Sequence, residues 1–349
     1  MSHPIVCAVL LVALNGNLLI SWFPAAVYSL SEEEIVDIVN NYNTSWVART
    51  YPSLPKYRNP VPEPRYHQRH RNFLRSLILR RHSYGHEPFR RWRGEVPKHF
   101  DARQRWRYCD TVHDIHDQGN CGSCWAIAVA SAISDRICIK RPKLRPVRIS
   151  PTALLTCTNG GNCRDGHDPY DAWRYYVRYG VPTGGFYNTH DSCQPYIYPG
   201  LYNKYGTPTD IFTIPSEQPE CSHECIRGYN RTYNSELFYG ERAYIVDADE
   251  QAIMTEMLIH GPVVAIIETF EDFDNYRMGI YEHIVGKHTG YHAVRVLGWG
   301  EEGDQKYWIC ANSWSRFWGE RGTFRVKRGV NEVMIEEAVS AALPYSIGL

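Results

Sequence analysis

Gln118-Gly119-Asn120-Cys121-Gly122-Ser123-Cys124-Trp125 is the stretch on which the fold turns. It ends where a helical pattern starts. Trp125, Val129, Ala132, Ile133 and Ile137 recur at helical spacing, which predicts a helix beginning near Cys124 with one apolar face. A thiol attacks carbonyls only as thiolate, and a helix N-terminus beside a histidine lowers its pKa. Gln118 lies six residues upstream of Cys124, and its side-chain amide can donate to an oxyanion together with the Cys124 N–H. The plainer reading makes Cys121 and Cys124 two disulfide cysteines, or half a zinc site. Zinc wants a second Cys/His pair at similar spacing, and none stands out. A Cys-x-x-Cys redox site belongs in a βαβ pattern, which is not the context here.

Working outward, Tyr291-His292-Ala293 opens a strand and Asn312-Ser313-Trp314 ends the next but one. A lone histidine is usually a surface or core residue. His292 is singled out by Asn312, which can bond one ring nitrogen while the other faces the thiol, and by Trp314, which can shield that bond from water. The later third is strand-like at Val263 to Ile267, His292 to Leu297, Tyr307 to Ala311 and Thr323 to Lys327. A second helix is expected from Asp249 to His260, stopped by Gly261-Pro262. Helices early and strands late predict an α+β protein, with a helical lobe against a sheet lobe.

The chain has 349 residues, no net formal charge and a mean hydropathy of −0.44, which argues against a nucleic-acid binder or a membrane-embedded body. Residues 1–95 hold 12 Lys/Arg against 7 Asp/Glu, and the rest hold 26 against 31. Opposite charge suggests two pieces with different jobs. Ile5 to Leu14 are nearly all apolar, Asn15-Gly16-Asn17 interrupt, and Ala25 and Ala26 offer a cleavage site, so residues 1–26 read as a signal peptide. A membrane span would need about 20 apolar residues, which the polar break spoils. Ser31-Glu32-Glu33-Glu34 forms a capping-box pattern, and Ile35, Ile38, Val39, Tyr42 and Trp46 follow at helical spacing. Lys56 to Arg93 is basic, with Arg80-Arg81 and Arg90-Arg91 inviting proteolysis. This reads either as a solvated linker or as an inhibitory segment with its processing region. Ten of the eleven cysteines lie at or beyond Cys109, which in a secreted chain points to disulfides and leaves residues 27–95 unstapled. Asn43 and Asn230 head glycosylation sequons.

Cys121-Gly122-Ser123-Cys124-Trp125 matches the papain/cathepsin signature, with His and Asn following at 168 and 188 residues from Cys124. Phe100-Asp101-Ala102-Arg103, Ala132 to Cys138, Leu297-Gly298-Trp299-Gly300 and Ala311-Asn312-Ser313-Trp314 also resemble the cathepsin B branch of the papain family. The likeness runs from Phe100 onward, and Leu30 to Trp46 resembles the start of that branch's propeptide. The resemblance implies a papain-like two-lobed fold, a helical lobe and a β-barrel-like lobe with the active-site cleft between them. It implies a signal peptide (1–26), a propeptide (27–95) and a protease domain (96–349) with an occluding-loop-like insertion (193–225). It also implies disulfides Cys109–Cys138, Cys121–Cys163, Cys157–Cys221 and Cys193–Cys225, with Cys124 and Cys310 free.

The sequence departs from that branch in four places. Asn203-Lys204 stand where the loop carries a histidine pair, one of which meets Asp117. Leu201 and Phe212 stand where the loop has its own disulfide. Cys163-Arg164-Asp165-Gly166 keeps one wall glycine. Ala338 stands where an acid reaches the main specificity pocket. Tyr307 to Glu320 also resembles a pattern of blood-digesting helminth proteases, broken at Phe317. The implied activity is a cysteine endopeptidase, made as a zymogen, with weak or no removal of carboxy-terminal dipeptides. Cys124, His292, Asn312 and Gln118 would be catalytic. Gly166, Trp314, Ala338, Asn203 and Lys204 would contact substrate. The expected partners are peptide or protein substrates, the chain's own propeptide and cystatin-like inhibitors. A monomer is expected, without metal, organic cofactor, nucleic acid or membrane, sent to a lysosome or outside the cell. The rival is a non-catalytic secreted relative that keeps the fold for binding; such relatives usually lose the nucleophile.

Overall fold

The computed structural model describes residues 29–51, 95–203, 205–209 and 219–345, with the backbone of Ala13–Leu14 and Asn17–Leu18. The rest of the expected leader, the basic stretch from Lys56 to Arg93, Lys204 and Phe212 lie outside these residues. The strands are β1 (Trp46–Ala48), β2 (Phe100–Asp101), β3 (Gly240–Ile245), β4 (Val263–Phe270), β5 (Tyr276–Tyr281), β6 (His288–Glu302), β7 (Gln305–Ala311), β8 (Thr323–Lys327) and β9 (Val339–Pro344). The helices are α1 (Glu32–Asn41), α2 (Ala102–Arg105), α3 (Cys124–Lys140), α4 (Pro151–Cys157), α5 (Pro169–Tyr179), α6 (Glu250–His260) and α7 (Glu271–Asp274).

Helix α3 is the axis of the first lobe. The expected apolar face understates its burial: every residue from Trp125 to Cys138 is buried, including Ser131, Ser134, Asp135 and Arg136. It is enclosed because α4 and α5 pack on it from one side and β6 and β9 from the other. A helix buried all round must satisfy its polar groups internally. Ser134 Oγ donates to Ala130 O (2.7 Å) and accepts from Ile149 N (2.9 Å). Arg136 pairs with Glu256 (2.8 Å), and Asp135 accepts from Arg295 of β6 (2.7 Å). Four disulfides staple the loops around it: Cys109–Cys138, Cys121–Cys163, Cys157–Cys221 and Cys193–Cys225. Cys124 and Cys310 are free.

The second lobe is one sheet in the order β1-β5-β8-β7-β6-β4-β9-β3, with β2 on β6 beside that path. It is not closed: β1 and β3 end the path unjoined, so the barrel-like lobe expected from sequence is an open, mixed sheet. Long β6 is its centre, antiparallel to both β4 and β7, with His292 opposite Ile267. Asp249 caps α6 through its carboxylate, and Gly261 ends it with φ +96°, as the Gly-Pro signal predicts.

The amino-terminal arm, residues 29–51, packs on the far edge of this sheet. Ser31 and Glu34 make the expected capping box. Ile35 and Val39 are buried, but Tyr42 is exposed, and Trp46 belongs to a strand rather than to the helix. The extended chain after α1 pairs as β1 with β5, which turns Trp46 inward by strand rather than helical geometry. Asn43 and Asn230 are exposed, and no helix among the described residues is long and apolar enough to cross a membrane.

Asp135 and Arg295 join the two lobes in a water-free place. Asp135→Ala leaves a buried guanidinium without its anion, and we expect a loss of about 3–5 kcal/mol in urea unfolding. The double variant Asp135→Leu with Arg295→Met should recover most of it. A single variant as stable as the wild type would show that the pair does not pin the lobes.

Candidate active site

The loop before α3 is shaped by close contacts with two other segments. Gly122 N donates to Cys163 O (2.8 Å), and a side chain at Gly122 would put Cβ 2.6 Å from that oxygen. The neighbouring Cys121–Cys163 disulfide fixes the same approach. Gly166 completes this wall, with φ +66° in the left-handed region where glycine fits best. On the other side, Gln118 N donates to Ser313 O (2.8 Å), and its side-chain Oε1 accepts from Ser313 Oγ (2.7 Å). Gln118 Nε2 donates to Cys121 O (2.8 Å), which leaves its second proton available toward the cleft. Tyr196, absent from the sequence reading, donates to Gln118 O (2.8 Å) and meets Ser123 Oγ at 2.5 Å.

Cys124 is the first residue of α3, partly buried, with its thiol within hydrogen-bonding reach of the Ala293 N–H. Ala293 follows His292 on β6, so the thiol sits against the strand that carries the imidazole. His292 Nε2 is 2.8 Å from Asn312 Oδ1. Since that oxygen also accepts from Ser313 N (2.7 Å), the proton belongs on Nε2, and Nδ1 is the nitrogen left for the thiol. The Trp314 ring lies 4.8 Å from the His292 ring and packs edge-on against Phe273 and Trp318.

Burial pushes the Cys124 thiol pKa up, against the pull of the Ala293, Trp125 and Cys124 N–H groups. Burial pushes His292 down to about 4, opposed only by Asn312. Each shift penalises a lone charge, because a low-dielectric site disfavours whichever form is ionised. A proton passing from thiol to imidazole in contact makes both charges at once, and each then screens the other.

Beyond Gln118 the insertion meets the site in a way the sequence did not foretell. Asp117 accepts from Leu201 N (2.8 Å), Tyr202 N (3.4 Å) and Gly119 N (3.0 Å), and burial raises its pKa. Asn203 is therefore not its partner. The Asn203 Oδ1 accepts from Tyr205 N (2.9 Å) and Thr207 N (3.1 Å), holding the loop's own turn, as a short amide side chain does well. Lys204 is outside the described residues. Ala338 is buried against Ile266, with Ile245 and Tyr291 beside them, in a small apolar cluster on the strands flanking His292. Ser313 touches both Gln118 and Asn312. Its place beside Asn312 in Asn312-Ser313-Trp314 was the signal that could have found it.

A thiol on a helix N-terminus facing an amide-held imidazole across two lobes is the arrangement of a thiol-dependent acyl hydrolase. A family model described as papain family cysteine protease matches residues 96–343. Cathepsin B-like cysteine proteinase 1 of Haemonchus contortus is 42% identical over 253 residues, covering 71% of this chain and 73% of its own. A cathepsin B-like cysteine proteinase of Schistosoma japonicum is 40% identical over 258 residues, with the same shares. A solved procathepsin B from Trypanosoma congolense superposes with a TM-score of 0.69 at 30% identity, over 90% of this chain and 99% of that one. Procathepsin L 3 of Tenebrio molitor (TM-score 0.58, 20% identity, 89% of each chain) shows the fold alone. The chain belongs to the papain family of cysteine proteases. It is a cathepsin B-like cysteine peptidase.

His116, buried and stacked on Phe186 at 4.5 Å, is pushed down to about 4 by burial, with Arg295 and Arg148 adding to the shift against Asp114. It stays neutral in the fold while the unfolded chain protonates near pH 6.5. Lowering the pH from about 6.5 toward 4 therefore favours unfolding, by about 2–3 kcal/mol at pH 4.5. His116→Gln should narrow the stability gap between pH 7 and pH 4.5 by that amount in urea titrations. An unchanged gap would mean that His116 protonates freely in the folded protein.

Proposed function

We propose that the protein is a secreted endopeptidase zymogen in which Cys124 is the nucleophile, His292 its base and acid, Asn312 the group that orients the ring, and Gln118 an oxyanion donor. The observation that carries this is the convergence of the α3 N-terminus on the His292–Asn312 pair (2.8 Å) beside a Gln118 amide pinned by Ser313. His292 Nδ1 takes the thiol proton as sulfur attacks the peptide carbonyl. The Cys124 N–H and Gln118 Nε2 hold the oxygen as it becomes negative. The imidazolium then gives its proton to the departing amine, and the thioester is hydrolysed by water with His292 again as base. Trp314, stacked over the ring, keeps water off the His292–Asn312 bond. Gly166 and the wall at Cys163 would let substrate backbone lie close. Residues 27–95 would be the removable propeptide, and the cathepsin B-like relatives favour a secretory or lysosomal setting.

The endopeptidase reading rests on Asn203, whose carboxamide oxygen is used inside the loop and brings no cation to a substrate's terminal carboxylate. An epoxysuccinyl inhibitor should label Cys124 stoichiometrically in the processed enzyme, and Cys124→Ala should lower kcat/KM by about a thousandfold or more. Normal turnover by Cys124→Ala would end the thiolate reading. A peptide with a free carboxylate and its amide should be cleaved at similar rates; strong preference for the acid would make the enzyme a carboxydipeptidase.

Ala338 supports a specificity proposal. It sits in the apolar cluster with Ile266 and Tyr291, so the subsite for the residue one upstream of the cleaved residue should favour apolar side chains over Arg. Burying an unpaired guanidinium there costs several kcal/mol, as an order of magnitude, which is roughly a hundredfold or more in rate. Ala338→Glu should raise Arg acceptance at that position by about tenfold. If the cleavage profile does not move, Ala338 does not line that subsite.

A further inference from the structure

The amino-terminal arm is built into the core of the sheet lobe. Val39, Trp46, Ala48 and Tyr51 belong to the same buried cluster as Tyr276, Tyr281, Trp318 and Phe324. β1 runs antiparallel on β5, placing Trp46 opposite Gly279. Any side chain at Gly279 would meet Ser45 O at 2.3 Å and Trp46 Cα at 2.6 Å, so β5 admits this strand only because that residue is glycine. Trp46 packs on Tyr281 and Tyr276 at 5.0 and 6.0 Å.

The polar ties have a common feature. Trp46 Nε1 donates to Glu282 O (3.0 Å), Ser45 Oγ to Ile280 O (2.7 Å), Arg49 N to Asn275 O (2.8 Å) and Arg49 Nη2 to Phe317 O (2.7 Å). Tyr51 OH donates to Tyr276 O (2.7 Å) and accepts from Gly319 N (2.8 Å). Each of these ends on a backbone group of the lobe. The nearby charged groups are otherwise engaged. Glu34 and Asp37 bond within α1, and Glu32 and Glu33 share its first turn. On α7, Asp272 takes Tyr281 OH, His283 and the N–H groups of Ile284 and Val285, while Glu271 accepts from Lys287 N. Asp274 presents its backbone oxygen to Trp318. Glu282 pairs with Lys327, Glu320 with Gly279 N and Arg325, and Arg277 with Gly319 O. Protonating these carboxylates removes none of the ties between arm and lobe. Acid therefore has no grip on this segment, contrary to the expectation that carboxylates hold the whole amino-terminal piece in place.

We propose that residues 29–51 remain bound to the catalytic lobe after the chain is cut between the arm and residue 95, as a non-covalent edge strand of the active enzyme. The proposal rests on the propeptide reading above. The arm's hydrogen bonds go to residues 275–282 and 317–319, so its retention leaves Cys124, His292 and Gln118 uncovered by the arm itself. What must leave the cleft on activation is chain beyond Tyr51, while the Trp46 anchor keeps the β5 edge and its aromatic floor from opening to water.

The test uses the full chain with a specific protease site placed at Arg80-Arg81, nicked at pH 7 and then brought to pH 4.5. Gel filtration and native mass spectrometry should find the arm fragment with the lobe in equal amounts at both pH values, which requires a Kd below about 1 μM under those conditions. Trp46→Ala should release it; if that variant does not fold, Tyr51→Phe should speed its loss by about tenfold instead. An epoxysuccinyl label on Cys124 should appear on the arm-bearing species. Separation of the wild-type fragment at pH 4.5, or label found only on arm-free lobe, would overturn the proposal. Nicking that brings no gain in peptidase activity would count against the propeptide reading alone, because retention is scored independently of it.

Discussion

Arg295 reaching Asp135 across the interface of helix and sheet is the contact on which the rest is hung. Asp135 lies three turns along the helix that begins with Cys124, and Arg295 lies three residues along the strand that carries His292. Arg295 also donates to Thr111 O (3.2 Å) and Asp114 O (2.6 Å), so one guanidinium holds helix, strand and the loop leading to Gln118. Such a pair is a poor source of net stability. Burial lifts Asp135 to about 6 even beside its cation, and Asp135 Oδ1 and Arg295 Nε have no partner among the described residues. What it supplies is register. An apolar interface tolerates a slide of helix along strand, whereas a buried charge pair does not, and the thiol and imidazole need that fixed offset.

The same logic explains the second frame around the site. Ser313 bonds the Gln118 side chain through its hydroxyl and Asn312 Oδ1 through its N–H. One residue thereby sets the oxyanion donor and the histidine's orienting amide relative to each other. The disulfide at Cys121 and the contact of Gly122 on Cys163 hold the opposite side. The site is assembled from four distant stretches, each fixed to a neighbour by a short directional contact, and none is placed by a loop's own preference.

Much of this was legible in the sequence because it is local. The capping box at Ser31, the Asp249 cap and Gly261 stop of α6, and the strand periods around His292 and Asn312 each depend on a few adjacent residues. Helices α4 and α5 went unread although Ser150-Pro151 and Asp168-Pro169 give a cap followed by proline in the first turn, and Gly180 (φ +75°) ends the second. The full burial of α3 was not legible, since periodicity shows one face and cannot report what packs on the other. Asn203 was misjudged for a related reason. A family position says where a side chain starts, but its oxygen went to Tyr205 N and Thr207 N, two and four residues on, while backbone N–H groups took its place at Asp117. The Arg295–Asp135 pairing spans 160 residues and leaves no local mark.

Burial of the thiol and imidazole at first sight opposes reactivity, since it raises the one pKa and lowers the other. The arrangement resolves this through the order in which charge appears. A resting pair that is neutral needs no counter-ion and costs the fold no desolvated charge. When a carbonyl enters, the sulfur's negative charge forms against the N–H groups of Ala293, Trp125 and Cys124 itself, and the imidazolium forms against Asn312 Oδ1. Those dipoles are already in position, so charge separation requires no reorganisation of the protein. Exclusion of water, which makes a lone ion expensive there, also strengthens each of these fixed dipoles. The burial that keeps the pair quiet at rest is therefore what makes its few hydrogen bonds effective during attack.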